Sequence, residues 1–268
     1  MSRRRVVFCT YSSVYSSIVL KELLQSDDIE VVAIINSTRI FNPKYGWLKG
    51  ACELISRCGF RYAFQQFCLT DLFVLLRPLV SLKPIQCDAQ RLAIPVHDTK
   101  NINSEQSVRW LRDLKPDILL SAYFNQRIDE PVLAIPQLGC LNVHPSPLPA
   151  YRGVDPVFYA LHRSESELGV TLHLLDKTFD TGNILQQMRL PVMKERSVFY
   201  HYAALFKMGA LMAVEQIKLR STGDLGAEQC GDARYDSWPK RTVVKSFIQQ
   251  GGKLIAIRDY FSVLRKWV

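Results

Sequence analysis

Short apolar, β-branched runs alternate with segments of helical periodicity along the first half of this chain, and that alternation restricts the fold more than any other feature. Residues 6–9, 30–35, 92–96, 117–121 and 139–143 each read as a buried strand. Between the first two, residues 14–24 place Val14, Ile18 and Leu24 at helical spacing, and Val19, Leu20 and Leu23 widen the apolar face. Residues 104–114 form another helix, with Ser104 placed to cap it and Lys115-Pro116 to end it. This alternation predicts an α/β fold with a mostly parallel sheet and helices on both faces. Further on, residues 169–175 and 184–190 alternate and pair as a hairpin across the loop 176–183. Residues 198–219 form a long closing helix.

From residue 220 the composition changes. Ser221-Thr222-Gly223-Asp224 and Gly226 form a polar linker, and helices follow over 240–250 and 257–267. The organisation expected is one large domain over 1–219 and a small C-terminal extension, a short helical tail, over 220–268. With 268 residues, 48% of them hydrophobic, the chain has ample material for a core. Its longest apolar candidate, 69–82, contains Asp71 and Arg77 and then meets Pro84, so it falls short of the roughly 18 residues of a spanning helix. The start, Met1-Ser2-Arg3-Arg4-Arg5, is charged like a signal peptide, but the apolar run after it is too short. It reads as a first strand. Seven cysteines, odd in number and without a CxxC or Cys/His ligand spacing, read as reduced thiols of a cytoplasmic protein, and no metal site is expected from them. The net charge of +9 admits an anionic substrate, an acidic membrane surface or nucleic acid, and does not choose among them.

The stretch 41–87 is long for one strand-to-helix connection. It carries Trp47, Phe60, Tyr62, Phe64, Phe67 and Phe73, with Lys44, Lys49, Arg57, Arg61 and Arg77 against the acidic Glu53 and Asp71. We read it as a basic, aromatic, helical insertion packed on the sheet. A membrane-surface or lipid-linked contact is the alternative, with a lid or dimer contact as further ones.

Function is concentrated at the end of the fifth strand. Ligands of such sheets bind beyond the carboxyl ends of strands, and Asn142 and His144 stand there, two residues apart and therefore on one side. An amide can donate a hydrogen bond to an oxyanion. An imidazole can take a proton or, when charged, stabilise negative charge. A carboxylate at Asp180 can hold that imidazole or order a water. The trio suits acyl transfer to an amine. Taken singly, each has a plain structural role: a turn asparagine, a core histidine, an Asp-Thr-Gly turn. Their order and context favour chemistry. Pro145, Pro147 and Pro149 stiffen the loop after the strand, and Gly153 and Gly182 permit backbone angles closed to other residues.

Asn142-Val143-His144-Pro145-Ser146-Pro147-Leu148-Pro149, Tyr151-Arg152-Gly153, Pro156, Gly169-Val170-Thr171 and Phe179-Asp180-Thr181-Gly182-Asn183-Ile184-Leu185 together resemble the formyltransferase family that uses 10-formyltetrahydrofolate. The resemblance is strong over 114–187 and extends weakly back to residue 6. It implies a Rossmann-like domain, 10-formyltetrahydrofolate as cosubstrate without a metal, and Asn142, His144 and Asp180 as catalytic residues. By the same resemblance Ser121, Ala122, Tyr123, Phe124, Phe179 and Thr181 line the cofactor pocket, and Ser146, Arg152 and Gly153 stand on the substrate side.

The acceptor is less specified. Family members that act on a ribonucleotide carry a Gly-rich phosphate loop after the first strand. Here Thr10-Tyr11-Ser12-Ser13-Val14-Tyr15-Ser16-Ser17 contains no glycine. Members that act on tRNA add a carboxy-terminal β-barrel, whereas 220–268 reads helical; the positive charge keeps tRNA as the alternative acceptor. A small amine, nucleotide-linked amino sugar or amino-acid-like, is the leading expectation. Arg234, Tyr235, Trp238 and Lys240 are candidates to meet a nucleotide. Hydrolysis of 10-formyltetrahydrofolate, or non-catalytic binding on the same fold, are the further alternatives.

Overall fold

The computed structural model describes residues 3–40 and 44–266. Met1, Ser2, the Phe41 edge of the insertion, and Trp267 and Val268 at the end of the tail lie outside the described residues. Seven strands form the main sheet: β1 (Arg4–Thr10), β2 (Ile29–Ser37), β3 (Val96–Thr99), β4 (Ile118–Ala122), β5 (Cys140–His144), and, after the two-residue β6 (Arg152–Gly153), β7 (Glu167–Leu174) and β8 (Ile184–Pro191). Their order is β3-β2-β1-β4-β5-β7-β8. The first five pair in parallel, and β7 and β8 are added antiparallel. The mostly parallel sheet and the hairpin expected from the sequence are both present.

Helices cover both faces because the strands are apolar on both. In β1, Val6 and Phe8 join a core with α1 (Val14–Leu24) and α9 (Val198–Leu219). Val7 and Cys9 point to a second core with Leu111 of α6 (Glu105–Leu114) and Val132 of α7 (Glu130–Leu133). Helix α1 starts at a reciprocal cap, in which the Ser13 and Ser16 side chains each accept from the other's backbone amide. Ser104 caps α6 as expected.

The third strand differs from its sequence reading. Residues 92–95 do not extend; Leu92 ends α5 (Ile85–Arg91) and Ala93 takes a positive φ of 56°. The apolar run is a helix exit, and pairing with β2 begins only at Val96.

The insertion folds as α2 (Trp47–Cys58), α3 (Phe60–Leu69), α4 (Asp71–Leu75) and α5. Cys58, Tyr62, Cys68, Leu69, Phe73 and Ile85 are buried in the first core, so the insertion packs on the domain as expected. Its aromatic content is divided, however, since Trp47, Phe60 and Phe64 remain exposed. The tail, with β9 (Tyr235–Asp236), α10 (Arg241–Gln249) and α11 (Ile257–Lys266), shares that core through Val244, Phe247, Tyr260, Val263 and Leu264. Phe247 meets Phe158 of α8 (Pro156–His162) with ring centroids 5.1 Å apart. Strand β9 pairs in parallel with β6, which draws the tail across the loop after β5. All seven cysteines are free thiols. Among the described residues no helix is long and apolar enough to cross a membrane.

Candidate active site

The sheet order reverses at β1, which has β2 on one side and β4 on the other. Connections leave in opposite directions there, and a crevice opens at the carboxyl ends of the strands. The Tyr11 amide donates to the Tyr123 carbonyl (2.9 Å), tying the two strand exits together. A groove of about 750 Å³ begins at this point. Asn142, His144 and Asp180 all line it, with Tyr11, Tyr123, Phe124, Phe179 and Gly153.

Strand β5 aims Asn142 and His144 to one side, and antiparallel β7 brings two partners into register: Asn142 faces His173 and His144 faces Thr171. His173 Nδ1 lies 2.7 Å from its neighbour Leu174 O, to which it donates. Its Nε2 is then an acceptor, so the group facing it at 3.0 Å must be the Nδ2 of Asn142. This bond fixes the asparagine amide and leaves one of its two N–H groups for a ligand. Burial pushes His173 down to about 4, against the opposing pull of Asp180. It stays neutral and serves as an anchor.

His144 is 5% exposed. Its Nε2 donates to Tyr151 O at 2.9 Å, and the hydroxyl of Ser146 donates to the same carbonyl. The ring is thereby oriented with Nδ1 toward Asp180 Oδ1, 3.4 Å away. As an imidazolium it would donate at both nitrogens, with the carboxylate balancing its charge.

Asp180 adopts a positive φ of 56°, a conformation few non-glycine residues hold without external support. That support comes from two directions. Its Oδ2 accepts from the Gly153 amide at 3.0 Å. Its carbonyl accepts from Gln229 Nε2 at 3.0 Å, and the same nitrogen reaches Gly182 O at 2.8 Å. Gln229 is in turn held by Arg152 Nη2 at 2.7 Å. The tail thus clamps the aspartate loop. Gly153 is required where it stands: its φ is +104°, and a Cβ there would lie 2.1 Å from Asp236 O. Replacing Gln229 with Leu should lower turnover roughly ten- to a hundredfold through misplacement of Asp180, with little change in melting temperature. Unchanged turnover would mean the loop is held without it.

The remaining sequence-derived residues divide. Tyr123, Phe124, Phe179 and Gly153 face the groove. Ser121 and Ala122 are buried inside β4. The Ala122 carbonyl accepts from Thr10 Oγ1 at 2.8 Å. Thr181 Oγ1 donates to Asp176 rather than to the groove. Ser146 and Arg152 act on the loop, as described. Trp238 and Tyr235 of the tail line the groove. Among the described residues no group of three His, Cys, Asp or Glu is arranged to hold a metal ion.

Sequence reasoning missed His173, Gln229 and Asp155. His173 stands in the alternating segment that was recognised, but its partner is fixed only by the register of β7 on β5. Asp155 is a buried carboxylate in the groove wall, pushed up to about 6 by that burial although Tyr202 and Tyr62 donate to it.

Two opposed pH effects follow. Folded Asp155 holds its proton up to about 6, against 3.8 in the unfolded chain, so its share of stability falls as pH rises across that window. Folded His173 takes a proton only near 4, against 6.5 unfolded, so its share falls as pH drops across that window. Between about 4 and 6 the two slopes oppose. Asp155→Asn removes one of them, and its denaturant midpoint should drop more steeply than that of the unmodified protein between pH 6.5 and 4.5. Parallel profiles would refute the raised Asp155.

Residues 85–215 match a family model described as formyl transferase. Methionyl-tRNA formyltransferase of Roseiflexus castenholzii is 36% identical over 52% of this chain and 45% of its own length. Methionyl-tRNA formyltransferase of Caldanaerobacter subterraneus subsp. tengcongensis is 28% identical over 70% of this chain and 61% of its own. The chain spans about half the length of the curated relatives it matches. Among solved structures, the fold is similar to a sugar N-formyltransferase from a Shewanella species (TM-score 0.56, 14% identity, covering 98% of this chain and 87% of that one). It is also similar to phosphoribosylglycinamide formyltransferase from Anaplasma phagocytophilum (TM-score 0.58, 16% identity, covering 89% and 100%).

Proposed function

We propose, from the premise that residues 85–215 form a formyl transferase domain, that this protein moves a formyl group from 10-formyltetrahydrofolate to the primary amine of a small acceptor. The observation that carries this reading is the convergence of Asn142, His144 and Asp180 on one groove, with the asparagine amide fixed by His173 and the imidazole fixed between Tyr151 O and Asp180. The groove suits a flat heteroaromatic donor. Its volume is within the range of small-molecule sites, and Tyr123, Phe124 and Phe179 give it aromatic walls beside the trio.

Bound there, the folate supplies the formyl group. The chain's own residues do the rest. The free N–H of Asn142 meets the negative charge that develops on the formyl oxygen when the amine attacks. That donor is already in place and needs no reorganisation. His144 has its Nε2 held by Tyr151 O and acts through Nδ1 beside Asp180; there the pair either places positive charge near the same oxygen or takes the proton the amine must lose. The rigid loop Pro145–Pro149 keeps both groups in place.

A nucleotide-linked amino sugar or an amino-acid-like amine is the acceptor class we favour. The likeness in fold to sugar N-formyltransferases and the presence of Trp238 and Tyr235 in the groove support it. Methionyl-tRNA is the second reading, favoured by the curated relatives and by the net charge of +9. The test is binding of 5-formyltetrahydrofolate, a stable analogue of the donor, followed by turnover with amino-sugar nucleotides, small amines and methionyl-tRNA. Folate binding with turnover on a small amine is the result expected. Turnover on methionyl-tRNA alone would make the second reading correct, and formate release without any acceptor would make the protein a hydrolase. Absence of folate binding would overturn formyl transfer altogether.

A further inference from the structure

Away from the trio, the groove is walled by the insertion. Trp47, Ile55, Phe60 and Phe64 line it and remain 59%, 41%, 70% and 47% exposed. The same groove carries a buried polar cluster that the formyl-transfer chemistry does not use. Asp155, at the start of α8, is 6% exposed. Tyr62 Oη donates to its Oδ2 at 2.7 Å, and Tyr202 Oη donates to its Oδ1. In the same groove, Tyr15 Oη and Gln65 Oε1 are buried without a hydrogen-bond partner among the described residues. Tyr15 and Gln65 are only 1% and 2% exposed, and both line the groove.

The groups acting electrostatically on Asp155 come from every element around it: Tyr15 of α1, Cys58 of α2, Tyr62 of α3, Tyr123 after β4, Tyr159 of α8 and Tyr202 of α9. All are neutral at physiological pH, and burial pushes each further toward neutrality. No lysine or arginine is among the groups that shift Asp155. A buried carboxylate without a cation is a costly arrangement, and natural structures normally pair it. Acceptors predominate among the open valences. Gln65 Oε1 can only accept, Asp155 can only accept when ionised, and Tyr15 Oη can accept as well as donate. A group completing this cluster must bring hydrogen-bond donors and, for the carboxylate, positive charge. A phosphate would meet like charge there.

The cluster is also close to the reaction centre along the chain. Asp155 follows Gly153 by two residues, a reach of about 7 Å, and the Gly153 amide holds the Asp180 carboxylate.

We propose that Asp155, with Tyr15 and Gln65, is the acceptor-specificity pocket, and that it selects a primary amine entering as its ammonium ion with an apolar body laid against Trp47, Phe60 and Phe64. The inference rests on the formyl-transfer reading for its biological sense, since it assigns the acceptor end of that groove. Asp155 here is a binding residue that admits the ammonium; the nitrogen becomes a nucleophile only on passing to the trio, where the His144–Asp180 pair takes its proton, and no bond is made or broken at Asp155.

The experiment is calorimetric titration of the whole protein with n-hexylamine, which is protonated at pH 7.5, and with 1-hexanol, its neutral counterpart of similar size. The amine should bind at least about tenfold more tightly than the alcohol. Its advantage should shrink at pH 5, as the carboxylate takes up a proton while its tyrosine and thiol neighbours do not change state. In Asp155→Asn the preference should disappear. Since that variant also alters the tyrosine network, its thermal melt is recorded, and Gln65→Leu, which leaves every bond of Asp155 in place, should independently weaken the amine several-fold and the alcohol not at all. Equal binding of amine and alcohol by the unmodified protein would overturn the pocket, as would a preference that survives both substitutions. Binding of 5-formyltetrahydrofolate is measured on the same samples. Folate binding without amine preference overturns the pocket alone. Amine preference without folate binding supports the pocket and overturns formyl transfer.

Discussion

Asn142→Ala is expected to lower the rate of formyl transfer by about 10² to 10³, the usual loss for one oxyanion donor. The prediction follows from what Asn142 touches. One N–H of its amide is bound to His173 Nε2, which cannot serve as a donor, so the other is aimed by a neutral, buried and immobile partner. The substitution should also leave that histidine nitrogen buried and unpaired, which costs about 1 to 3 kcal/mol of stability. Two measurements separate the effects. Turnover is taken well below the melting temperature, and 5-formyltetrahydrofolate affinity is determined alongside. A large loss in turnover with near-normal folate affinity would fit an interaction made mainly in the transition state. A loss confined to folate affinity would make Asn142 a binding residue and remove the oxyanion role.

Asp180→Ala should be at least as damaging, with turnover reduced by about 10² to 10⁴. The carboxylate faces His144 Nδ1 at 3.4 Å and His173 Nε2 at 3.9 Å, and also holds the Gly153 amide. Removing it takes away the carboxylate that faces His144 and one of the two supports of the loop. Asp180→Asn keeps a side chain able to accept from Gly153 but carries no charge. If charge is what matters, Asn should fail nearly as badly as Ala. If Asn restores most of the rate, the aspartate acts by holding the loop, and its proposed action on the imidazole is wrong.

The centre of the sheet was legible because β1, β2, β4 and β5 are apolar runs, and α6 because Ser104 caps it, both of which are local signals. Asn142 and His144 were legible for a similar reason: two residues of one strand two positions apart must share a side. Asp180 was found through its surrounding motif. The partners that hold these residues in place were not legible, because each comes from pairing between distant segments. His173 is aimed by the antiparallel register of β7 on β5. Gln229 sits in a polar stretch with no periodicity, and the β6–β9 pairing together with the Ile184–Ala227 bridge brings it to the loop. Ser121, Ala122 and Thr181 show the converse. They stand close in sequence to groove residues, yet strand alternation and a local turn point them elsewhere. The third strand reads at 92–96 in the sequence instead of Val96–Thr99 because a helix exit can be as apolar as an edge strand.

The clamp on the aspartate loop has a consequence for how the molecule is made. Gln229 lies 49 residues after Asp180, beyond every strand of the main sheet. During synthesis the chain emerges amino end first, and domains fold as units as they emerge. The complete sheet and its closing helix α9 are therefore available for folding while the residue that holds Asp180 in its unfavourable backbone angle is still inside the ribosome. Val244, Phe247, Tyr260, Val263 and Leu264, made later still, complete the first core, so the support of Asp180 and the finishing of that core both wait on the same late-made segment.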